Sequence, residues 1–222
     1  MKFADALASS IHDIKNSLGM VINTLEEISA DPDSGLAGNP KAATLQMEAR
    51  RANSELIQLL TLFKLENERV TPHIAEHNLE DYLDDSVAEH RGLAESRGIT
   101  LDCTCDPMLS AYFDADLVRG VLNNAIDNAQ RYTRDHILLG AEMHDNYLVI
   151  RVEDNGAGFP QAMLDLSLDP SPSEGFSGGR TQLGLYFANQ VAQLHQNRER
   201  SGHIRLTNDC SLGGGCLSIL LP

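Results

Sequence analysis

The chain has no tryptophan, and aromatic residues make up only 5 % of its 222 positions. A platform on which successive bases of a single strand could stack is therefore not expected. Positive charge is scarce as well: 17 Lys and Arg stand against 32 Asp and Glu, a formal net charge of −15. Nucleic-acid backbones are held by clustered Lys and Arg, so this balance argues against a nucleic-acid binder. It leaves a free nucleotide open, because Mg²⁺ can bridge phosphates to acidic or neutral side chains. No apolar run approaches the roughly 20 residues that span a bilayer. The opening MKFADALASS carries an early acidic residue and no apolar signal core, so a cytoplasmic chain is expected. The four cysteines, Cys103, Cys105, Cys210 and Cys216, have neither zinc-knuckle nor CxxC spacing. They read as small core residues of a protein in a reducing compartment. His73, His77, His90, His136, His144, His195 and His203 show no metal-ligand spacing and read as surface or strand residues.

What is present begins with heptad spacing. Leu7, Ile11, Ile14, Leu18, Val21, Leu25 and Ile28 recur four and three apart, the seam of a helix in a bundle. ADPDSGLAGNP breaks the pattern with Pro, Gly and Asp. Asn39 followed by Pro40 predicts a new helix start, a capping side chain ahead of a proline at the first helical position. Leu45, Ala49, Ala52, Leu56, Leu59 and Phe63 then repeat the spacing. One hairpin buries such a seam poorly and two make a four-helix bundle, so a homodimer is the expected completion.

From about Val70 the texture changes. An extended stretch over Thr71–Glu76 precedes a helix from about Leu79 to Ser96, closed by Gly98. Strands are expected at ITLDCTCD and Ser110–Phe113, and a helix from about Asp116 to Tyr132. Two further strands, His136–Met143 and Tyr147–Glu153, flank a turn with Asp145 and Asn146. Gly156 to Gln182 reads as a long irregular segment. A helix from Leu183 to about Gln196 and two closing strands, HIRLTN and CLSILLP, complete an α+β sandwich with helices on one face of a sheet.

Three stretches of this second part carry chemistry. Asp154 ends a strand and runs into Asn155-Gly156-Ala157-Gly158; the carboxylate can accept a hydrogen bond from a purine amine, and the glycines let backbone approach it. Asn124 and Asn128 lie four apart on one helix face. A buried carboxamide needs a partner, and Mg²⁺ or phosphate would be one. Arg131 and Tyr132 follow within reach of phosphate. Gly178-Gly179-Arg180-Thr181-Gln182-Leu183-Gly184-Leu185 places backbone amides at a helix start beside glycines, an anion site.

DNAQRYT at Asp127–Thr133, DNGAG at Asp154–Gly158 and LGL at Leu183–Leu185 resemble the asparagine box and two glycine boxes of sensor histidine kinases. These belong to the wider ATPase superfamily that includes gyrase, Hsp90 and MutL. HDIKNSL, His12–Leu18, resembles the phosphoacceptor motif of the same kinases, so the resemblance covers nearly the whole chain, with residues 1–69 as dimerisation and phosphotransfer hairpin and 70–222 as ATP-binding domain. It implies that Asp154 binds the adenine amino group, that Gly156 and Gly158 shape the adenine pocket, and that Asn128 ligates Mg²⁺ with Asn124 assisting. Arg131, Tyr132, Thr181, Leu183, Gly184 and Leu185 would lie along the phosphates, under a mobile lid formed by the segment before Gly184. The chain departs from the usual GxGLGL, reading Arg180-Thr181-Gln182-Leu183-Gly184-Leu185. It has only Phe176 where a Phe-rich lid is common, and Ser17 where a Pro is common.

In this reading His12 sits one residue beyond the seam position Ile11, at the edge of the bundle. A nucleophilic imidazole needs one free nitrogen and a group to orient the other; Asp13 is adjacent and Asn16 lies one turn on. By resemblance Asp13 assists as a base and Asn16 can orient a water that hydrolyses a phospho-aspartate. The expected partners are a second copy and a response-regulator receiver domain; because only about ten residues precede His12, signal input is expected from a sensor partner in trans, from the loop near Asp31–Asn39 or from a further domain outside this sequence. Two other readings stand beside this one: a histidine phosphotransfer protein with a degenerate nucleotide domain, and a scaffold that regulates another kinase.

Overall fold

The structure is a computed structural model, and it describes residues 3–31, 34, 39–66, 71–168 and 181–222. The chain divides into two compact units, Met1–Val70 and Thr71–Pro222.

The first unit is a helical hairpin of α1 (Phe3–Ala30) and α2 (Pro40–Glu66). Pro40 opens α2, and the Lys41 amide donates to Asn39 Oδ1 at 2.9 Å, so the cap and the N1 proline act as the sequence suggests. Ile22, Ala42, Ala49, Leu60 and Leu62 are buried within the single hairpin. Ile14, Val21, Ile28, Leu45 and Leu59 of the heptad seams stay exposed. Most of the ADPDSGLAGNP loop falls outside the described residues.

The second unit opens with β1 (Ala75–Asn78), shorter and later than the Thr71–Glu76 stretch expected. It pairs antiparallel with β3 (Ser110–Phe113) as a small sheet of its own. Between them lies α3 (Leu79–Ser96). Asn78 Oδ1 accepts the Asp81 amide at 3.0 Å, and Glu80 and Asp81 lie in the first turn, where negative charge is favoured. Gly98 (φ +70°) ends the helix in the left-handed region. The Gly98 amide returns to Glu95 O and the Ile99 amide to Ala94 O, the paired bonds of a Schellman stop.

The main sheet holds five strands in the order β2-β4-β5-β9-β8, namely β2 (Thr100–Cys105), β4 (His136–His144), β5 (Tyr147–Asp154), β8 (His203–Thr207) and β9 (Cys216–Leu221). β2 runs parallel to β4 and the other neighbours are antiparallel. Asp145 and Asn146, both at positive φ, make the tight β4–β5 turn that such residues allow. One face of the sheet is an apolar row in register, Leu139, Val152, Leu217 and Leu206, beside another of Ala141, Ile150, Ile219 and Ile204. On that face lie α3, α4 (Ala115–Tyr132) and α6 (Thr181–Leu194). Their Leu83, Val87, Leu122, Ile126, Phe187 and Val191 are almost fully buried, at about 1.5–3 kcal/mol for each large aliphatic side chain removed from water. This is the α+β sandwich expected.

Two features differ from the sequence reading. The stretch taken as wholly irregular contains α5 (Gln161–Leu168). A small hairpin, β6 (Gln196–Asn197) with β7 (Arg200–Ser201), follows α6; Arg198 at φ 57° turns it, and its two-residue strands are too short to show a period. Among the cysteines, all four are free thiols, and Cys216 alone is fully buried.

Candidate active site

The site grows from the C-terminal end of β5. Asp154 is 8 % exposed and its Oδ1 accepts the Gly156 amide at 2.7 Å. Oδ2 carries no protein hydrogen bond among the described residues. Three glycines surround this carboxylate. A Cβ on Gly156 would lie 2.8 Å from the carbonyl carbon of Tyr132, one on Gly214 would lie 2.8 Å from Asp154 Oδ1, and one on Gly215 would lie 3.0 Å from Oδ2. Only hydrogen fits at these places, so the end of α4, the β5 end and the β8–β9 loop close on each other without side chains between.

Further polar contacts hold that arrangement. Asn155 Oδ1 accepts the amides of Arg134, Asp135 and His136 at 3.1, 3.2 and 3.2 Å. Its Nδ2 donates to Asp135 Oδ1 at 2.7 Å. Thr133 Oγ1 stands 2.8 Å from both Asn155 Oδ1 and His136 O. Asn155 thus pins the turn that follows α4 to the turn that follows β5. Asn208 grips Phe159 by its backbone, accepting the amide at 2.7 Å and donating to the carbonyl at 2.9 Å. Buried Glu153 accepts both the amide and the hydroxyl of Ser211, which fixes the loop that carries Gly214 and Gly215.

The second part of the site lies along α4. A Cβ on Gly184, in the first turn of α6, would come within 2.8 Å of Asn124 Oδ1, so the backbone of α6 packs directly on that carboxamide. Asn124, Asn128 and Tyr132 are successive i, i+4 positions on one face of α4. At 1.5 Å per residue the row is about 12 Å long; one end meets Gly184 and the other meets Gly156. Asn124 and Asn128 are half-buried, as is Arg131. Neither carboxamide hydrogen bonds another described side chain or backbone group. Tyr132 is exposed and contributes its carbonyl to the Gly156 contact.

The structure therefore brings Asp154, Gly156 and the end of α4 together, and separately Asn124 and Gly184, with Asn128 between. Gly158 (φ +79°) abuts Asn208 rather than Asp154. Leu183 and Leu185 are half-buried in α6. Thr181 begins α6, but its side chain lies outside the described residues, as do Gly178-Gly179-Arg180, Phe176 and most of the lid expected before Gly184. His12, Asp13 and Asn16 lie on α1. Asp13 and Asn16 are exposed, while the His12 side chain is outside the described residues. A groove of about 670 Å³ on the opposite face of the sheet, lined among others by Gly140, Arg151, Arg205 and Ser218, contains none of these predicted groups. Sequence reasoning missed Asn208, Gly214 and Gly215. The run Gly213–Gly215 was their only local signal, because a contact across 49 or more residues leaves no mark in spacing.

One histidine departs from the surface reading. His195 is 3 % exposed. Its Nδ1 donates to Val191 O at 2.8 Å and its Nε2 accepts the Asp114 amide at 3.0 Å. It lies one residue past the last turn of α6, where an imidazole can satisfy an orphan carbonyl.

Comparison with known proteins decides the family. The family model described as histidine kinase-, DNA gyrase B- and HSP90-like ATPase matches residues 113–222. The second unit is a domain of this ATPase family. Along almost the full chain, the relatives are sensor histidine kinases. TmoS of Ectopseudomonas mendocina is 25 % identical over 99 % of this chain and 23 % of its own length. A probable sensor histidine kinase of Mycobacterium tuberculosis is 29 % identical over 79 % of this chain and 44 % of its own. The chain thus spans less than half the length of the curated relatives it matches. Among solved structures, the histidine kinase AdeS of Acinetobacter baumannii superposes with a TM-score of 0.60 at 17 % identity, covering 90 % of this chain and 93 % of that one. Full-length ShkA in complex with AMPPNP gives 0.64 at 17 % identity over 97 % of this chain and 45 % of that one. At such identities the superpositions speak for the fold. These likenesses support a histidine kinase catalytic core with an ATPase domain of this family over residues 113–222. Domains of the family bind ATP, typically with Mg²⁺, and the Asp154 carboxylate, the glycine cradle and the two open carboxamides fit that ligand.

Proposed function

We propose that this chain is a cytoplasmic, homodimeric protein-histidine kinase that takes the γ-phosphoryl group of ATP onto His12 and passes it to an aspartate of a response-regulator receiver domain. The observation that carries this reading is the row Asn124, Asn128 and Tyr132, spanning from Gly184 to the Asp154–Gly156 pocket. In this reading residues 1–69 dimerise and carry the phosphoacceptor, and residues 70–222 hold the nucleotide.

Asp154 Oδ2 accepts the adenine amine, and Gly156 and Gly214 admit the ring edge against backbone. Asn128, assisted by Asn124, would hold Mg²⁺, which neutralises charge on the phosphates when bound. Arg131 and the amides of Thr181–Leu185 extend the grip along the phosphates. A ring nitrogen of His12 attacks the γ-phosphorus, the bond to the β,γ-bridging oxygen breaks, and ADP leaves; Asp13 orients the ring and accepts the proton from the other nitrogen. Catalysis of this type rests on positioning and charge stabilisation rather than on covalent chemistry by the domain. In the same reading Asn16, one turn beyond His12, would orient a water that hydrolyses the phospho-aspartate of the receiver domain.

The test is label transfer from γ-labelled ATP with Mg²⁺. Acid-labile label on the wild type, absent from His12→Ala and Asn128→Ala, with ATP binding retained only in His12→Ala, is the expected result. A wild type that neither binds ATP nor takes label would overturn the kinase reading. His12 would then be charged from another phosphoprotein, in line with the departure from GxGLGL at Arg180-Thr181-Gln182.

A further inference from the structure

Asp114, the last residue before α4, joins three parts of the second unit. Its Oδ1 accepts the Leu117 amide at 3.0 Å and caps α4. Its Oδ2 accepts the His73 amide at 2.7 Å, in the stretch by which the chain enters the unit. Its own amide donates to His195 Nε2 at 3.0 Å. His195 completes the chain by donating from Nδ1 to Val191 O in the last turn of α6. An Nε2 that accepts and an Nδ1 that faces a carbonyl define a neutral ring in one tautomer. Both residues are buried, Asp114 at 7 % and His195 at 3 % exposure; the two bonds of His195 lie away from competing water, and those from the Leu117 and His73 amides are part-buried.

The geometry gives this link leverage on the nucleotide site. The start of α4 is tied to the end of α6 through Asp114 and His195, and the middle of α4 meets the start of α6 where Asn124 packs on Gly184. Gly120, between these two points, packs on the Phe187 ring. α6 thus runs antiparallel to the first half of α4 and is held on it near both of its own ends, and a slide of α6 at His195 displaces Gly184 from Asn124. Packed helices shift between discrete arrangements rather than deforming smoothly.

We infer that Asp114 and His195 are positioning residues for the nucleotide site: they set the register of α6 against α4 and couple it to the entering chain at His73. The inference rests on the kinase reading above. In that reading the phosphoacceptor hairpin precedes His73 in the chain, so a pull on the entering segment is felt at Asp114 and, through His195, at Gly184. Coupling between two places is reciprocal. Nucleotide bound at Asn124 and Gly184 must therefore alter the protection of the His73 amide.

The experiment measures hydrogen exchange of the His73 amide in the full chain with and without Mg²⁺–ATP, alongside ATP affinity. Mg²⁺–ATP should slow exchange at His73 in the wild type. His195→Phe keeps a ring but removes the acceptor for the Asp114 amide. It should abolish the slowing and weaken ATP about tenfold, the order expected for one buried hydrogen bond left unmade. His195→Gln, whose carboxamide oxygen can accept, should restore both. Asp114→Asn keeps an oxygen for Leu117 but turns an amino group toward His73, and should lose the His73 response even if His195→Phe fails to fold. ATP binding with unchanged exchange at His73 in the wild type, or an equal response in His195→Phe, would overturn the coupling alone. Absence of ATP binding in the wild type would remove the kinase reading and this inference together.

Discussion

At Gly156 an added Cβ would lie 2.8 Å from the Tyr132 carbonyl carbon and as close to Asp154 Oδ1, so the end of α4 or the carboxylate must move. Gly92 is the opposite case. It stands in the middle of α3 with nothing within 4 Å of a Cβ, where glycine costs a helix about 0.5–1 kcal/mol relative to alanine. Gly156→Ala should therefore abolish ATP binding, measured with a fluorescent analogue, while Gly92→Ala should raise the unfolding midpoint and leave binding intact. Retained affinity in Gly156→Ala would remove this glycine from the pocket. His195 makes a prediction of a different kind. Burial holds its pKa below the usual 6.5, against the opposing pull of the Val191 carbonyl and the Asp114 charge. The unfolded chain then binds a proton that the folded one refuses, so this contribution to stability is present above pH 6.5 and is lost as pH falls below it. The difference in unfolding free energy between wild type and His195→Gln should shrink with falling pH, by up to about 1.4 kcal/mol per pH unit for one proton. A difference that stays flat across this range in urea titrations would contradict the neutral, buried ring. The thiols behave consistently: burial and the Asp84 carboxylate push Cys103 up to about 12, and burial pushes Cys216 up to about 11.

Between elements, Asn208 ties the near end of the β8–β9 loop to the site, while Glu153 holds the loop at Ser211. Both hydrogen bonds of Asn208 go to the backbone of Phe159, the residue with which the chain leaves the Asp154–Gly158 turn. Asn208→Ala removes both, at about 1–2 kcal/mol in total. It should weaken ATP by about tenfold while leaving the far-ultraviolet spectrum unchanged, and an unaltered affinity would show that the Phe159 backbone plays no part in the pocket. This contact also shows where sequence reasoning stops. Asn124 and Asn128 were legible because helical spacing alone puts them on one face, and Asp154 because a carboxylate at a strand end beside glycines is a local pattern. The main strands, α3 and α4 were legible for the same reason, since alternation and helix stops such as Gly98 act within a few residues. Asn208, Gly214 and the buried His195 owe their places to partners 49, 60 and 81 residues away, and no local period records such a pairing. The two-residue strands β6 and β7, and α5 inside a stretch taken as irregular, are too short for hydrophobic periodicity to outweigh their turn-forming neighbours.

For the molecule as a whole, the hairpin poses the largest energetic question. Its seams expose Ile14 at 53 %, Val21 at 50 %, Leu45 at 57 % and Leu59 at 43 %, although these are the positions that heptad spacing reserves for a core. Within one chain the buried contacts come instead from Ile22, Ala42, Ala49, Leu60 and Leu62. Among the described side chains of the hairpin, two of these five buried apolar residues are small alanines. A second hairpin laid against the exposed seams would complete four-helix packing, with about 1.5–3 kcal/mol for each large side chain fully covered. The four exposed side chains occur once per chain, so a symmetric pair covers eight, enough to outweigh the entropy lost in association. The expected outcome is a dimer at micromolar concentration by sedimentation velocity. Val21→Glu with Leu45→Glu should convert it to a monomer, because charges buried without partners oppose assembly. The monomer should still bind ATP, since the second unit has its own core, and this separates loss of assembly from loss of fold. A wild type that sediments as a monomer would require another cover for these seams, and would remove the dimer from the proposed kinase.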